Sequence, residues 1–208
     1  MKYEWKKQDK AFYLPPAEPA LIQVPAYNYF TLHGEGNPNG AEFAEAVGVL
    51  YSLSYAIKML PKKGIEPEGY YEYTVFPLEG VWDLSEAGRQ KTELDKDELV
   101  YTIMIRQPDF ATPELAAEVL EKVKHSKPHP LLHKAAFDSI EDGLSVQMLH
   151  TGPYDDEPGS FARMKQYCAE QGLERMSHLH REIYISDARR TQPEKLRTVL
   201  RFKVSRQE

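Results

Sequence analysis

Hydrophobic and polar positions along this chain follow two rhythms, one of period two and one of three to four, and the rhythms recur in the same order twice. Ala20 to Glu35 reads as a strand, with Pro25 confining part of it to an edge or a bulge. Gly34, Gly36, Pro38, Asn39 and Gly40 then make a turn. From Ala41 the period lengthens, with Phe43, Val47, Leu50, Tyr51 and Ser54 at helical spacing, and the helix should stop near Pro61. Two strands follow, Tyr70 to Val75 and Leu99 to Arg106, both rich in aromatic and β-branched residues. In the second half, Leu144 to Gly152 reads as a strand and Pro153 to Gly159 as a turn. Phe161 to Gln171 reads as a helix ended by Gly172, and Arg181 to Ser186 and Leu196 to Val204 as strands.

The residues echo one another as well as the order. Thr31-Leu32-His33-Gly34 resembles Met148-Leu149-His150-Thr151, and Glu72-Tyr73-Thr74-Val75 resembles Glu182-Ile183-Tyr184-Ile185. An internal duplication accounts for both. Between the halves, Thr112 can cap a helix whose first position suits Pro113, and this bridging helix runs to about Lys124. The expectation is a single α+β domain over residues 1–208, with pseudo-repeats at about 20–106 and 140–204. Two strand-helix-strand-strand repeats side by side would form an antiparallel sheet with helices on one face and a central ligand cleft.

Composition narrows the class. With 208 residues, 41% hydrophobic and 28% charged, the chain is globular and large enough to fold without staples. A net charge of -6 argues against a nucleic-acid partner, which needs a basic face. The basic stretch Arg189, Arg190, Lys195, Arg197, Arg201 and Lys203 is interrupted by Glu194 and reads as a solvated face. No helix-turn-helix precedes the first strand. The start of the chain lacks the apolar core of a signal peptide and no run approaches a membrane span, so a cytoplasmic protein with no membrane partner is expected. Cys168, the sole cysteine, sits in an amphipathic pattern and reads as a half-buried helix residue.

Candidate chemistry is confined to a few places. Tyr27, Tyr29, Tyr51, Tyr55, Tyr70, Tyr71, Tyr73 and Trp82 crowd into less than a third of the chain, and tyrosine in excess suggests a surface that is apolar yet wet. In the strand after His180, alternation puts Ile183 and Ile185 on one face and His180, Glu182 and Tyr184 on the other. Glu182 among aromatics reads as a base or a counter-ion, or alternatively as an exposed strand residue paired with a lysine or arginine. Glu72 is its repeat equivalent. Trp82, after the break at Pro77 and Gly80, reads as a cage wall or as a core plug, and Tyr51 and Tyr55 as cleft or core residues four apart on one helical face. His33, His133 and His150 lack ligand-spaced partners and read as structural. The run Asp155-Asp156-Glu157 reads as a solvated acidic turn, the one candidate for protein docking. No phosphate loop, nucleophile elbow or zinc motif is present, and no metal or cofactor is expected.

Over essentially its whole length the sequence resembles the GyrI-like small-molecule-binding proteins, especially their stand-alone subgroup. The resemblance rests on Gly48 to Ile57, on Pro77 to Trp82, on His150 to Glu157, and on His180 to Arg190 followed by Pro193 to Thr198. It implies two strand-helix-strand-strand repeats and a ligand cleft whose key glutamate falls on Glu182. In multidrug-sensing regulators of similar fold that carboxylate faces aromatic cations. The stand-alone subgroup hydrolyses the strained cyclopropane of DNA-alkylating cyclopropapyrroloindole compounds inside an aromatic cage. Asp83 follows Trp82 where some relatives carry a second aromatic residue. The expected catalytic residues are Glu182 and Tyr184, and the expected ligand contacts are Tyr51, Tyr55, Tyr71, Tyr73, Trp82, Met104 and Met148. The partner expected is a small aromatic or hydrophobic molecule, with hydrolysis, sequestration or sensing, and gyrase-inhibitor-like protein contact as the alternatives.

Overall fold

The computed structural model describes residues 2–206. Its elements in chain order are α1 (Trp5–Gln8), α2 (Lys10–Tyr13), β1 (Ala20–Glu35), α3 (Ala41–Lys58), β2 (Leu78–Leu84), α4 (Glu86–Arg89), β3 (Leu99–Arg106), α5 (Pro113–Ser126), β4 (Ala135–Thr151), α6 (Glu157–Gln171), β5 (Leu173–Arg175), β6 (His180–Tyr184) and β7 (Arg197–Arg206). The seven strands form a mixed α+β architecture around an antiparallel sheet. The order β1-α3-β2-β3 returns as β4-α6-β6-β7, as the duplicated pattern predicts. Among the described residues no helix is long and apolar enough to cross a membrane.

The chain divides into two compact units. One takes Tyr27–Leu78 and Trp82–Ile140 with the first residues, and the other takes Trp5–Ala26, Glu79–Val81 and the chain from Glu141 onward. In the first unit β1 pairs antiparallel with β3 from Tyr29↔Arg106 to Glu35↔Val100. α3 packs on β3 and on α5. Its buried stripe is Ala46, Val49, Leu50, Leu53, Ser54 and Ile57. Leu50 and Ser54 of the expected pattern lie in it, whereas Phe43, Val47 and Tyr51 are half-buried, because Leu53 and Ile57 bring more apolar area to the core than a tyrosine whose hydroxyl needs a partner. The turn of the helix carries Tyr55 out to 47% exposure. α5 starts as its residues dictate: Thr112 Oγ1 accepts from the Leu115 N–H at 3.2 Å, with Pro113 in the first turn.

Tyr70–Val75 is not a strand. Only Tyr73 makes a bridge, to Tyr3, and the strand instead spans Leu78–Leu84. The aromatic residues that suggest a strand here spend their rings on packing. Tyr70, Tyr71 and Tyr73 all meet Phe110, with centroids at 5.3, 5.3 and 5.9 Å. Strand propensity measures fit to a half-buried surface, and an aromatic cluster meets that need without a ladder. Glu72 is therefore not the positional counterpart of Glu182.

In the second unit β7 is central. It pairs with β4 from Ser145↔Lys203 to Thr151↔Arg197, with β6 from Arg181↔Arg201 to Tyr184↔Thr198, and near its end with β5. His150 lies opposite Thr198, as His33 lies opposite Thr102 in the first unit, so the echo between the halves extends to strand register. α6 closes the core, with Met164 and Cys168 against Val146, Met148, Leu200, Phe202 and Val204. The helix begins at Glu157, four residues before the expected start, because Pro158 fits a helix's first turn and does not end the preceding one. It ends at Gly172 in the left-handed region, φ 63°.

The short N-terminal helices are held by backbone capture. Gln147 Nε2 donates to the Ala11 carbonyl at 2.7 Å, Arg201 Nη2 to the Phe12 carbonyl at 2.9 Å, and the Leu149 N–H to the Pro16 carbonyl at 2.9 Å. The paired rings of Trp5 and Tyr13, 5.3 Å apart, complete the attachment.

Candidate functional site

β6 presents two different chemistries on its two faces. Arg181 and Ile183 point into the core, 3% and 1% exposed, while His180, Glu182 and Tyr184 are half-buried on the other side. On the inner face Arg181 donates to Glu79 Oε2 at 2.9 Å and makes a two-pronged contact with Asp142 at 2.7 and 2.8 Å. Arg201 reaches the same Asp142 at 3.3 Å and Gln147 Oε1 at 2.8 Å, and the Tyr13 hydroxyl donates to Glu79 Oε1 at 3.2 Å. Burial alone would raise the Asp142 carboxyl, but the charges and hydrogen bonds of Arg181 and then Arg201 outweigh it and hold it below the usual range. Glu79 thus serves the framework, and the Leu78-Glu79-Gly80 segment of the sequence is where the second unit acquires it.

The outer face is the candidate site. His180 Nε2 donates to Glu182 Oε1 at 3.0 Å, and the Tyr184 hydroxyl donates to Glu182 Oε2 at 2.8 Å. The strand's alternation sets these three side chains in a row, so both carboxylate oxygens are oriented by their own neighbours two residues away. The Glu182 side chain is 12% exposed. Tyr154 meets Tyr184 edge-on at 6.0 Å, and Phe161 meets His180 at 4.8 Å. A recess of about 370 Å³ lies beside His180, lined by Pro158, Phe161, Ala162, Lys165, Arg175 and His178.

Glu157, from the first turn of α6, is the residue that sequence reasoning missed. It is buried, not solvated, and its Oε1 has no hydrogen-bond partner. Burial first, then the charge of Glu182, push its carboxyl far above the usual range. The same surroundings act on Tyr154, whose phenol is pushed up to about 12 by partial burial and then by Glu182. A signal for Glu157 is present in the sequence: it continues the buried stripe Ser160, Met164 and Cys168 at helical spacing.

The turn before α6 is fixed by His150. Its Nε2 donates to the Pro153 carbonyl at 3.0 Å, and its Nδ1 is hydrogen-bonded with Ser160 Oγ at 2.9 Å. Gly152 between them has φ +135°, a conformation that L side chains rarely adopt. His150 is thus a structural histidine, and among the described residues no group of acids, histidines and cysteine is placed to hold a metal ion.

Each of the other expected ligand contacts is placed within its own unit. Trp82 is 4% exposed and packs against Phe43 at 5.8 Å and Tyr101 at 5.2 Å. Tyr51 and Tyr55 sit 6.4 Å apart on α3, and Tyr71 and Tyr73 are also 6.4 Å apart, with Tyr73 buried. Met104 is in the core of the first unit and Met148 in that of the second, each 1% exposed.

These features define a domain with a partly buried carboxylate among aromatic rings. The chain belongs to the GyrI-like small molecule binding domain family, which it matches over residues 17–205. It is similar to a hydrolase from Listeria innocua, 36% identical with a TM-score of 0.90 over 99% of this chain and 100% of that one. It is also similar to an uncharacterized conserved protein from the same organism, 38% identical with a TM-score of 0.88 over 98% and 100%. The C-terminal domain of EcmrR, 14% identical with a TM-score of 0.56 over 91% and 98%, shares the fold alone. No curated protein matches the chain.

Proposed function

We propose that this protein binds flat hydrophobic aromatic molecules and adds water to a strained cyclopropane of the DNA-alkylating cyclopropapyrroloindole type, with Glu182 as the base. The observation that carries the reading is Glu182 itself, a carboxylate oriented through both oxygens by His180 and Tyr184, which in turn meet Phe161 and Tyr154. Membership of the family supports binding, and the likeness to a Listeria hydrolase supports turnover.

In the proposed step Glu182 takes a proton from water as the water oxygen bonds to a cyclopropane carbon. The strained carbon–carbon bond breaks, its electron pair passes into the conjugated ring system, and that system then takes up a proton. One water is added and nothing is oxidised or reduced. Ring strain favours the reaction, so the protein contributes mainly position and a base, the latter worth roughly 10²–10⁴-fold. Tyr184 orients the carboxylate, and Tyr154 and Phe161, which meet Tyr184 and His180, supply the aromatic faces beside it. Detoxification in the cytoplasm without a nucleic-acid partner completes the reading, supported by the net charge of -6.

Mass spectrometry of such a compound incubated with catalytic amounts of protein should show a water-added product accumulating over many turnovers. Glu182→Gln should lower the rate by roughly 10²–10⁴-fold while the ligand still binds. A full rate in that variant would sink the assignment. A second reading, sequestration of aromatic cations, is favoured by one observation: among the described residues Glu182 has no lysine or arginine partner. Binding that weakens with salt, without turnover, would select it.

A further inference from the structure

The recess beside His180 runs against the charge of the chain, which is -6 overall. Its polar lining is basic throughout: Lys165 from α6, Arg175 from β5, His178 from the bend that follows, and His180 from β6. Pro158, Phe161 and Ala162 supply the rest of the wall. Arg175 is fixed on two sides. Its Nη2 donates to the His178 and Leu179 carbonyls at 2.6 and 3.0 Å, and its guanidinium lies 4.5 Å from the Phe202 ring and 5.8 Å from the Phe161 ring. Phe161 also meets His180 at 4.8 Å, so one aromatic side chain joins two of the basic groups. In the same unit Arg181 and Arg201 both reach Asp142. Arg175 instead reaches only carbonyl oxygens, and its Nε is buried without a partner. Lys165, exposed on α6, pairs with no carboxylate among the described residues.

We propose that this recess is a binding site for a small organic anion, a carboxylate carried on a flat apolar body. A half-buried guanidinium with no counter-ion is a charge whose desolvation nothing in the chain offsets. A carboxylate supplies the missing charge and matches the planar fork of an arginine, while the Lys165 ammonium adds a point charge from α6. The carbon body lies against Phe161, Pro158 and Ala162. A volume of about 370 Å³ is that of a small-molecule pocket. The same lining repels cations, so the recess takes a different class of ligand from the one that the Glu182 carboxylate attracts. The assignment stands whether or not Glu182 turns anything over.

Calorimetry with three probes tests it: naphthoate, the neutral naphthalenemethanol, and inorganic phosphate. Naphthoate should bind roughly tenfold tighter than either of the others, and more weakly as salt is added. Lys165→Glu, on an exposed helix position, should weaken naphthoate by roughly tenfold, leave the alcohol unchanged and keep the unfolding midpoint. Arg175→Lys, which keeps the charge and loses the fork, should weaken naphthoate by several-fold. The ring signals of His178 in nuclear magnetic resonance should move as naphthoate is added. Equal affinity for the acid and the alcohol, or an unchanged affinity for the acid in Lys165→Glu, would overturn the proposal. Phosphate binding as tightly as naphthoate would remove the apolar wall from it. Glu182→Gln should bind naphthoate undiminished, so a loss of turnover in that variant bears on the hydrolase reading alone.

Discussion

Arg181 and Glu182 are neighbours in one strand, yet they belong to opposite kinds of acid cluster. On the inner face, Glu79 and Asp142 are buried with two arginines, a tyrosine and a glutamine, and the carboxylate oxygens of both find donors. On the outer face, Glu157 is buried and its Oε1 is left without a hydrogen-bond partner. The inner cluster is complete and fixes the fold. The outer one is incomplete, and incompleteness in a buried polar group is the mark of a site that expects something else.

The largest test of that contrast is Arg181→Ala. It removes the arginine that Glu79 and Asp142 share, leaving them only Tyr13 and Arg201, and should cost about 3–5 kcal/mol of stability in urea unfolding. Glu182→Gln should cost far less, since it strands no buried charge. Equal losses would erase the distinction between the faces.

Next in size, the two clusters should give stability opposite pH slopes. Asp142 has a folded pKa below its ordinary 3.8, so its contribution is present above that value and is lost as pH falls through the lowered one. Glu157 has a folded pKa above its ordinary 4.5, so its contribution is full below 4.5 and is lost as pH rises toward the raised value. Denaturation midpoints should therefore decline toward alkaline pH in the native protein and flatten in Glu157→Gln, with the acid-side decline unchanged. A smaller effect sharpens the outer face alone. Tyr184→Phe deletes one half-buried hydrogen bond and should cost about 0.5–1.5 kcal/mol, read as a shift in the unfolding midpoint.

Long periodic segments are legible in the sequence: β1, α3 and β3 begin where their patterns begin. What escaped lacks a period or depends on distant partners. The four-residue helices α1 and α2 are too short to show one, and Gln147, Arg201 and Leu149 hold nearby carbonyls from far along the chain. Tyr70–Val75 has the residues of a strand but settles into aromatic packing. At the site, alternation placed Glu182 and Tyr184 together, because a strand fixes which residues share a face. It did not find Glu157, since three consecutive acids look solvated until Pro158 is read as the start of a helix. Nor did it find Arg181, whose burial depends on Asp142 and Glu79 being there to receive it.

The lone cysteine gives the second unit a built-in clock. Cys168 is 5% exposed in the core beneath α6, and burial raises its thiol against the opposing influence of Arg175. A thiol so placed is protonated and shielded, so a maleimide dye can label it only when that core opens. With one cysteine in the whole chain, each labelled molecule counts one opening event, and a bound ligand that tightens the unit would slow the count.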